Sequence, residues 1–302
     1  AATGRRSGKR GLFLWDWETF VITTNICTRL ETRDDLASPP AGPKRTAVVC
    51  AGSYVHGSRF IFPVMIDPQR EVLVLSASST IADMVERLNE FQPDRVIGYT
   101  SIVEELCAEA LDGRLKIQPN RISTNSEPLT EHARQSSLEA WGVNIHNQWG
   151  SVEIGLAGSE GCSFTGMSMA EDCLIFEPVD ARDQPVPHGV QSDRLLVTKL
   201  YGTAMPMIRY ELTDTVVIDE GPNPDAPGYR RITEIKGRAD SWFVYADGVK
   251  IHPMVFRGIL GQDPHISEYQ VQQTPTGARV LVIAQGEISV EKLAAALKSS
   301  LA

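Results

Sequence analysis

The first eleven residues, AATGRRSGKRG, combine side chains and glycines that suit the binding of phosphate. They include Gly4, Arg5, Arg6, Ser7, Gly8, Lys9, Arg10 and Gly11. Exposed backbone N–H groups of a glycine-rich loop and nearby cations both favour dense negative charge. The Walker pattern G-x-x-x-x-G-K-[ST] is not met, because three residues separate Gly4 from Gly8 and Arg10 stands where a Ser or Thr should be. Taken alone, the run is also compatible with a disordered basic terminus.

Four later stretches complete a recognisable series. They are STNSEPLT (123–130), NQWGSVEIG (147–155), MIRYELTD (207–214) and GRAD (237–240). In this order, they resemble the motif series of the adenylate-forming superfamily, specifically its phenylacetate-CoA ligase-like branch. The resemblance runs nearly end to end and includes GYTSIVEEL (98–106) and EPVDARDQPVPHG (177–189).

The resemblance implies a nucleotide site assembled from several of these stretches. The phosphate loop would use Thr3, Gly4, Ser7, Gly8 and Lys9. The adenine pocket would use Ser126, Glu127, Pro128, Trp149 and Gly150, with Trp149 where the family usually has a tyrosine. Asp214 matches the carboxylate that accepts the ribose hydroxyls.

The same resemblance implies the residues that act on the substrate and move the lid. Glu153 matches the acid that binds Mg²⁺, Arg238 the arginine after the hinge glycine, and Asp240 the hinge itself. His56 falls where this branch often has a histidine near the substrate carboxylate. The acyl pocket would be shaped by Gly98, Tyr99 and Ser101.

These residues suit the attack of a carboxylate on the α-phosphorus of ATP. Two anions must approach each other, so Mg²⁺ and cationic groups must neutralise charge, and positioning does most of the remaining work. The expected function is therefore an AMP-forming acid-CoA ligase that activates an aromatic or other hydrophobic carboxylic acid. The acyl-adenylate would pass to coenzyme A after rotation of the C-terminal domain.

Two other functions remain open at this point. The acyl group could pass to an amine or a carrier protein, or the chain could bind an adenylate without catalysis. Nucleic-acid binding through the opening arginines is disfavoured, because the net charge of -9 and the pI near 5.2 repel nucleic acid and anionic membranes. The expected partners are therefore small molecules, with no nucleic acid and no membrane.

Each assigned residue also has a simpler structural interpretation. Trp149 could be a core aromatic residue, Asp214 a turn residue at a strand end, and Glu153 a solvated acid at a helix start. His56 could be a buried histidine whose hydrogen bonds are satisfied.

The sequence departs from the family inside the nucleotide site. Val152 stands before Glu153 where the family usually has threonine or serine, which removes a hydroxyl near the phosphates. Arg5 and Arg6 replace small residues in the loop, which would tighten pyrophosphate binding or crowd it.

Some relatives carry a zinc site, and the sequence predicts none here. Cys162 remains, but Ser168 stands where a histidine should, and residues 220–231 contain no cysteine. One soft ligand cannot hold zinc.

Compared with the family, the chain is short at both ends. It begins inside the phosphate loop and ends at Ala302, before the region of the adenylation lysine. We expect a fragment of a longer protein, which Ala1 in place of methionine favours, or a form with impaired adenylation.

Composition indicates an ordinary globular protein in a reducing compartment. Of its 302 residues 42% are hydrophobic, enough for a large core. The five cysteines are odd in number and form no C-x-x-C pair, which favours the cytoplasm. No apolar run reaches the length of a membrane span.

Hydrophobic periodicity predicts the elements that must position the site. Strands at 46–52, 60–65, 71–77, 94–99, 121–125 and 143–150 alternate with helices at 80–91, 101–111 and 129–142, whereas 31–45 is predicted to be a surface loop. The fold class is therefore α/β, with mostly parallel sheets and helices, a β-rich subdomain from about 171, and a small C-terminal α+β domain. The expected domains are an AMP-binding domain, 1–236, and a lid domain, 237–302.

Overall fold

The computed structural model describes twelve segments of the chain. They are 2–4, 10–37, 44–50, 70–77, 79–212, 214–238, 243–245, 250–251, 256, 259–260, 265–284 and 286–301. The chain divides into two compact units, 1–236 and 237–302. None of the helices in these segments is long and apolar enough to cross a membrane.

The larger unit contains most of the strands and four described helices. The strands are β1 (Ala2–Gly4), β2 (Arg10–Leu12), β3 (Arg45–Cys50), β4 (Glu71–Ser76), β5 (Arg95–Tyr99), β6 (Arg121–Asn125), β7 (Ile145–Ser151), β8 (Gly155–Glu160), β9 (Met167–Met169), β10 (Leu174–Val179), β11 (Arg194–Lys199), β12 (Tyr210–Leu212), β13 (Asp214–Asp219) and β14 (Arg231–Arg238). The helices are α1 (Trp17–Ala37), α2 (Ile81–Phe91), α3 (Thr100–Leu111) and α4 (Glu131–Trp141).

A nine-stranded sheet forms the centre of this unit. Its strand order is β13-β14-β9-β8-β7-β6-β5-β3-β4. The five strands β7, β6, β5, β3 and β4 at one side of the sheet are parallel. Strands β7, β8, β9 and β14 then pair antiparallel, and β10-β11-β12 form a separate antiparallel sheet. The predicted α/β class and the β-rich part are confirmed.

Apolar side chains explain why the parallel strands lie in the interior. Along β3, Ala47 and Val49 belong to one buried cluster, and Val48 and Cys50 belong to another. Because successive side chains of a strand point to opposite faces, β3 is covered on both sides. Helices α2, α3 and α4 contribute to the larger cluster through residues such as Leu88, Leu106 and Trp141.

Helix α1 is a correction to the sequence analysis. The predicted surface loop at 31–45 is wrong over residues 31–37, where the helix continues to Ala37. The Asp16 carboxylate caps the start of this helix, accepting from the Thr19 backbone N–H at 2.7 Å and from its hydroxyl at 2.5 Å. No proline or glycine occurs between Asp16 and Pro39, so nothing in this stretch breaks a helix, and polar composition alone was a poor guide. The strand predicted at 60–65 lies outside the described residues.

The smaller unit has its own core. Its elements are β15 (Phe243–Val244), β16 (Lys250–Ile251), β17 (Ile266–Thr274), β18 (Gly277–Ala284) and α5 (Val290–Leu301). Phe243, Phe256 and Leu260 are buried together, and Leu293 and Leu297 of α5 pack against them. The predicted role of this unit as a lid stays a prediction.

Candidate functional site

The opening residues form an antiparallel pair around the predicted phosphate loop. Thr3 of β1 lies opposite Gly11 of β2, and Gly4 lies opposite Arg10. Ser7, Gly8 and Lys9 fall outside the described residues. The two ends of the predicted loop are therefore held side by side.

The tight turn between β7 and β8 carries Glu153. Only three residues, Val152, Glu153 and Ile154, separate the two strands. A side chain at Gly150 would overlap the carbonyl oxygen of Gly155, so glycine is required where the strands approach each other. Glu153 is 4% exposed, which contradicts its interpretation as a solvated acid.

Three buried oxygens near this turn make no hydrogen bond with the described residues. They are Oε1 of Gln148, Oγ of Ser151 and Oε2 of Glu153. A buried polar atom without a partner costs about 1–3 kcal/mol, so such atoms are rare, and a bound water, ion or ligand is a common reason for one. Three within six residues, at the carboxyl end of β7, are typical of a binding site in an open parallel sheet.

Trp149 lies between this turn and the core. The register of β7 and β8 shifts between Trp149 and Gly150, which re-aims the chain just before the turn. The Trp149 ring centroid is 6.5 Å from that of Phe176, and the indole packs against the second buried cluster. Trp149 is thus partly a core residue, and its place against an adenine ring stays a prediction.

The residues predicted for the acyl and adenine pockets meet at the edge where β5 and β6 end. Tyr99 is paired with Asn125, so Gly98 and Tyr99 lie beside the chain that continues into Ser126, Glu127 and Pro128. Ser126 adopts a left-handed conformation, with φ of 65°. The predicted residues are therefore close together at the expected end of the sheet.

Glu127 and Ser101 are bonded directly to each other. The two Glu127 carboxylate oxygens accept from the Ser101 backbone N–H at 2.8 Å and from its hydroxyl at 3.2 Å. Ser101 is in the first turn of α3, where backbone N–H groups attract negative charge. Glu127 thus fixes the start of a helix, a structural role that the sequence analysis missed.

The remaining predicted residues are more widely distributed. Asp214 is buried at the start of β13, and β14, β9 and β8 lie between that strand and β7 in the sheet. Arg238 is the last residue of β14, and of this residue the structure describes the backbone. His56 and Asp240 lie outside the described residues.

Beneath β7 lies a buried charged network that the sequence analysis also missed. Oε1 of Glu160 accepts from Nη2 of Arg134 at 2.6 Å, and Oε2 accepts from the Asn147 backbone N–H at 2.8 Å. Arg134 also donates to the Ile145 carbonyl at 2.7 Å. These groups come from α4, β7 and β8, so no local pattern could have identified them.

No cluster of three or more His, Cys, Asp or Glu side chains suited to a metal ion occurs in the described segments. Cys162, the cysteine of the predicted remnant of a zinc site, is exposed. The absence of zinc stays a prediction.

Comparisons with known proteins show which sequences this chain is similar to. No family model matches the chain. It is 29% identical over 191 residues to phenylacetate-coenzyme A ligase of Pseudomonas putida, covering 60% of this chain and 42% of that protein. It is 28% identical over 137 residues to protein CapK of Staphylococcus aureus, covering 45% of this chain and 29% of that protein. The chain thus spans less than half the length of either curated relative.

The fold is shared with a solved CoA ligase. The crystal structure of 2-hydroxyisobutyryl-CoA ligase in the postadenylation state, in complex with R3-HIB-AMP, superposes with a TM-score of 0.71 at 18% identity. The match covers 100% of this chain and 68% of that one. The predicted resemblance to phenylacetate-CoA ligases is confirmed as sequence similarity, and the predicted fold is confirmed by this superposition.

Proposed function

We propose that this chain is part of an AMP-forming acid-CoA ligase that activates an aromatic or other hydrophobic carboxylic acid. The observation that carries the proposal is that three buried oxygens within residues 148–153, the last of them on Glu153, make no hydrogen bond with the described residues. Glu153 lies in the turn where the family resemblance places a carboxylate for Mg²⁺. We place the reaction in the cytoplasm, with the acid, ATP and coenzyme A as partners.

Glu153 is suited to bind Mg²⁺. Its buried Oε2 atom makes no hydrogen bond with the described residues, and this ion is usually held by one or two carboxylates together with substrate phosphates. When bound, Mg²⁺ would neutralise charge on the phosphates. The turn would hold the carboxylate in one place, since Gly150 brings the backbones of β7 and β8 together.

The other residues would position the two substrates. The hairpin of β1 and β2 would present Thr3, Gly4 and the loop after them to the phosphates, and Asp214 would accept the ribose hydroxyls. The chain after β6 and Trp149 would bind the adenine. Tyr99 and its neighbours at the end of β5 would border the acyl group.

Two displacements would complete the reaction. A carboxylate oxygen, oriented by His56, attacks the α-phosphorus, and the bond to pyrophosphate breaks. The thiol of coenzyme A then attacks the acyl carbon, loses its proton, and AMP leaves. Arg238 and Asp240 would act at the hinge about which the C-terminal domain rotates between the adenylation step and the transfer to coenzyme A.

Exchange of labelled pyrophosphate into ATP tests the proposal. The protein expressed from its complete reading frame should catalyse exchange only when a suitable carboxylic acid is present. Lack of exchange with every acid of a broad panel would overturn the proposal. Thioester analysis with coenzyme A against a carrier protein would identify the acceptor.

A second outcome would favour binding without catalysis. Val152 lacks the hydroxyl that the family usually has at this position. Calorimetric binding of ATP, with no exchange by the complete protein, would support an adenylate-binding protein.

A further inference from the structure

The turn that carries Glu153 is held on both sides by side chains from distant parts of the chain. Nε1 of Trp15 donates to the Val152 carbonyl at 3.2 Å. The Tyr201 hydroxyl donates to the Ile154 carbonyl at 3.1 Å. Trp15 precedes α1 and Tyr201 follows β11, so the two donors reach the turn from different elements.

A buried lysine lies near both aromatic rings. Nζ of Lys199 is 4.7 Å from the centroid of the Tyr201 ring and 5.9 Å from that of Trp15. Cations at these distances are attracted to the faces of aromatic rings, more strongly when water is excluded. Burial lowers the pKa of Lys199, and the nearby Asp16 carboxylate opposes that shift. We refer to Trp15, Lys199 and Tyr201 as the turn-holding cluster.

Two glycines allow the turn-holding cluster to approach the turn closely. Gly155 has a φ of 80°, and a side-chain Cβ there would lie 3.0 Å from the Tyr201 hydroxyl. Gly202 has a φ of 82°, and a Cβ there would lie 2.7 Å from the Thr19 hydroxyl and 3.4 Å from Nζ of Lys199. Any other residue would be strained at both positions.

We propose that Trp15 and Tyr201 are positioning residues for Glu153, and that Lys199 orients their rings. Hydrogen bonds to the carbonyls of Val152 and Ile154 restrict the backbone conformation of Glu153 between them, and therefore the position of its carboxylate. A misplacement of about 1 Å costs about a hundredfold in rate at a site that depends on geometry. This inference rests on the proposed function, because it gives Glu153 a task that requires accurate placement.

Two conservative variants test the proposal in the complete protein. Trp15→Phe and Tyr201→Phe each keep an aromatic ring and remove the donor. Trp141→Phe is the matched control, because Nε1 of Trp141 is buried and makes no hydrogen bond within the described residues. The variants are compared by amide hydrogen exchange of the 150–156 segment and by the free Mg²⁺ concentration that gives half-maximal pyrophosphate exchange.

In the two donor variants, we expect the amide exchange rate of 150–156 and the free Mg²⁺ concentration for half-maximal activity each to rise about fivefold. Trp141→Phe should leave both at the wild-type level. The thermal midpoints should stay close to one another, which would separate positioning from general destabilisation. A fivefold change in both quantities would support the proposal.

Two results would overturn it. The first is that the amides of 150–156 exchange at the same rate in both donor variants as in Trp141→Phe. The second is that the wild type is active and both donor variants reach half-maximal pyrophosphate exchange at the wild-type concentration of free Mg²⁺. If the wild type exchanges no pyrophosphate with any acid, the proposed function fails by itself. Amide exchange alone then decides whether the cluster holds the turn.

Discussion

Two glutamates at the ends of neighbouring parallel strands have opposite environments. Glu127, after β6, uses both carboxylate oxygens to bond Ser101 at the start of α3. Glu153, after β7, is buried with an oxygen that makes no hydrogen bond among the described residues. The comparison separates a carboxylate that is already bonded within the fold, Glu127, from one with a buried oxygen that a ligand could use, as we propose for Glu153.

The largest expected effect is that of Glu153→Gln. The amide keeps the size of the side chain but removes its charge, and losing one electrostatic stabiliser of a transition state costs about 10²–10³ in rate. We expect pyrophosphate exchange to fall by about that factor while the thermal midpoint is unchanged or rises, because a buried charge has been removed. Glu131→Gln, at an exposed position of α4, is the control. Retention of full exchange would contradict the assignment of Glu153.

The next largest effect is expected at Glu160, a buried carboxylate whose two oxygens both accept hydrogen bonds. Glu160→Ala leaves Nη2 of Arg134 and the Asn147 backbone N–H without their partner. Because the pair is largely buried, we expect the free energy of unfolding to fall by about 2–4 kcal/mol. Urea denaturation would measure it, with exposed Glu139→Ala as the comparison. A change below about 0.5 kcal/mol would show that the network contributes little.

A smaller effect is expected at the other glutamate of the comparison. Glu127→Ala removes both acceptors from the first turn of α3, so the protein should lose about 1–2 kcal/mol of unfolding free energy. Exchange activity per folded molecule should fall far less than in Glu153→Gln. The comparison would fail if the two variants lost activity equally at unchanged stability.

The smallest expected effect concerns two cysteine thiols that also differ in environment, one buried and one exposed. Burial raises the pKa of Cys107 to about 12, whereas Cys162 is exposed. Maleimide at pH 8 should therefore label Cys162 and spare Cys107 until the protein unfolds. Since the unfolded thiol ionises near its ordinary pKa of 9.0 and the folded one near 12, Cys107 should lower stability as pH rises above about 9. Equal labelling of the two thiols would contradict this expectation.

Local patterns in the sequence predicted the parallel half of the sheet well. The predicted helix at 80–91 is observed at 81–91, where the Thr80 hydroxyl accepts from the Asp83 backbone N–H at 3.2 Å. Such caps and apolar spacings lie within a few residues of each other, so they are readable without a structure. Gly150 and Glu153 were predicted from the resemblance of one short stretch, 147–155, to a family motif, and their roles stay predictions.

The rest depends on contacts between distant parts of the chain. Trp15 and Val152 are 137 residues apart, and Tyr201 and Ile154 are 47 apart. No sequence pattern around Trp15 or Tyr201 predicts which carbonyl the side chain donates to. The bond from Ser101 to Glu127 is likewise invisible in the sequence, where both residues were predicted as ligand contacts.

The turn-holding cluster also sets an order of events during synthesis on the ribosome. Trp15 is made before Tyr201, which follows 186 residues later, roughly 10 s or more at ordinary rates of elongation. Until then the Ile154 carbonyl lacks its donor, although β7 and β8 are already complete. A nascent chain can therefore form the parallel sheet well before both donors hold the turn that carries Glu153.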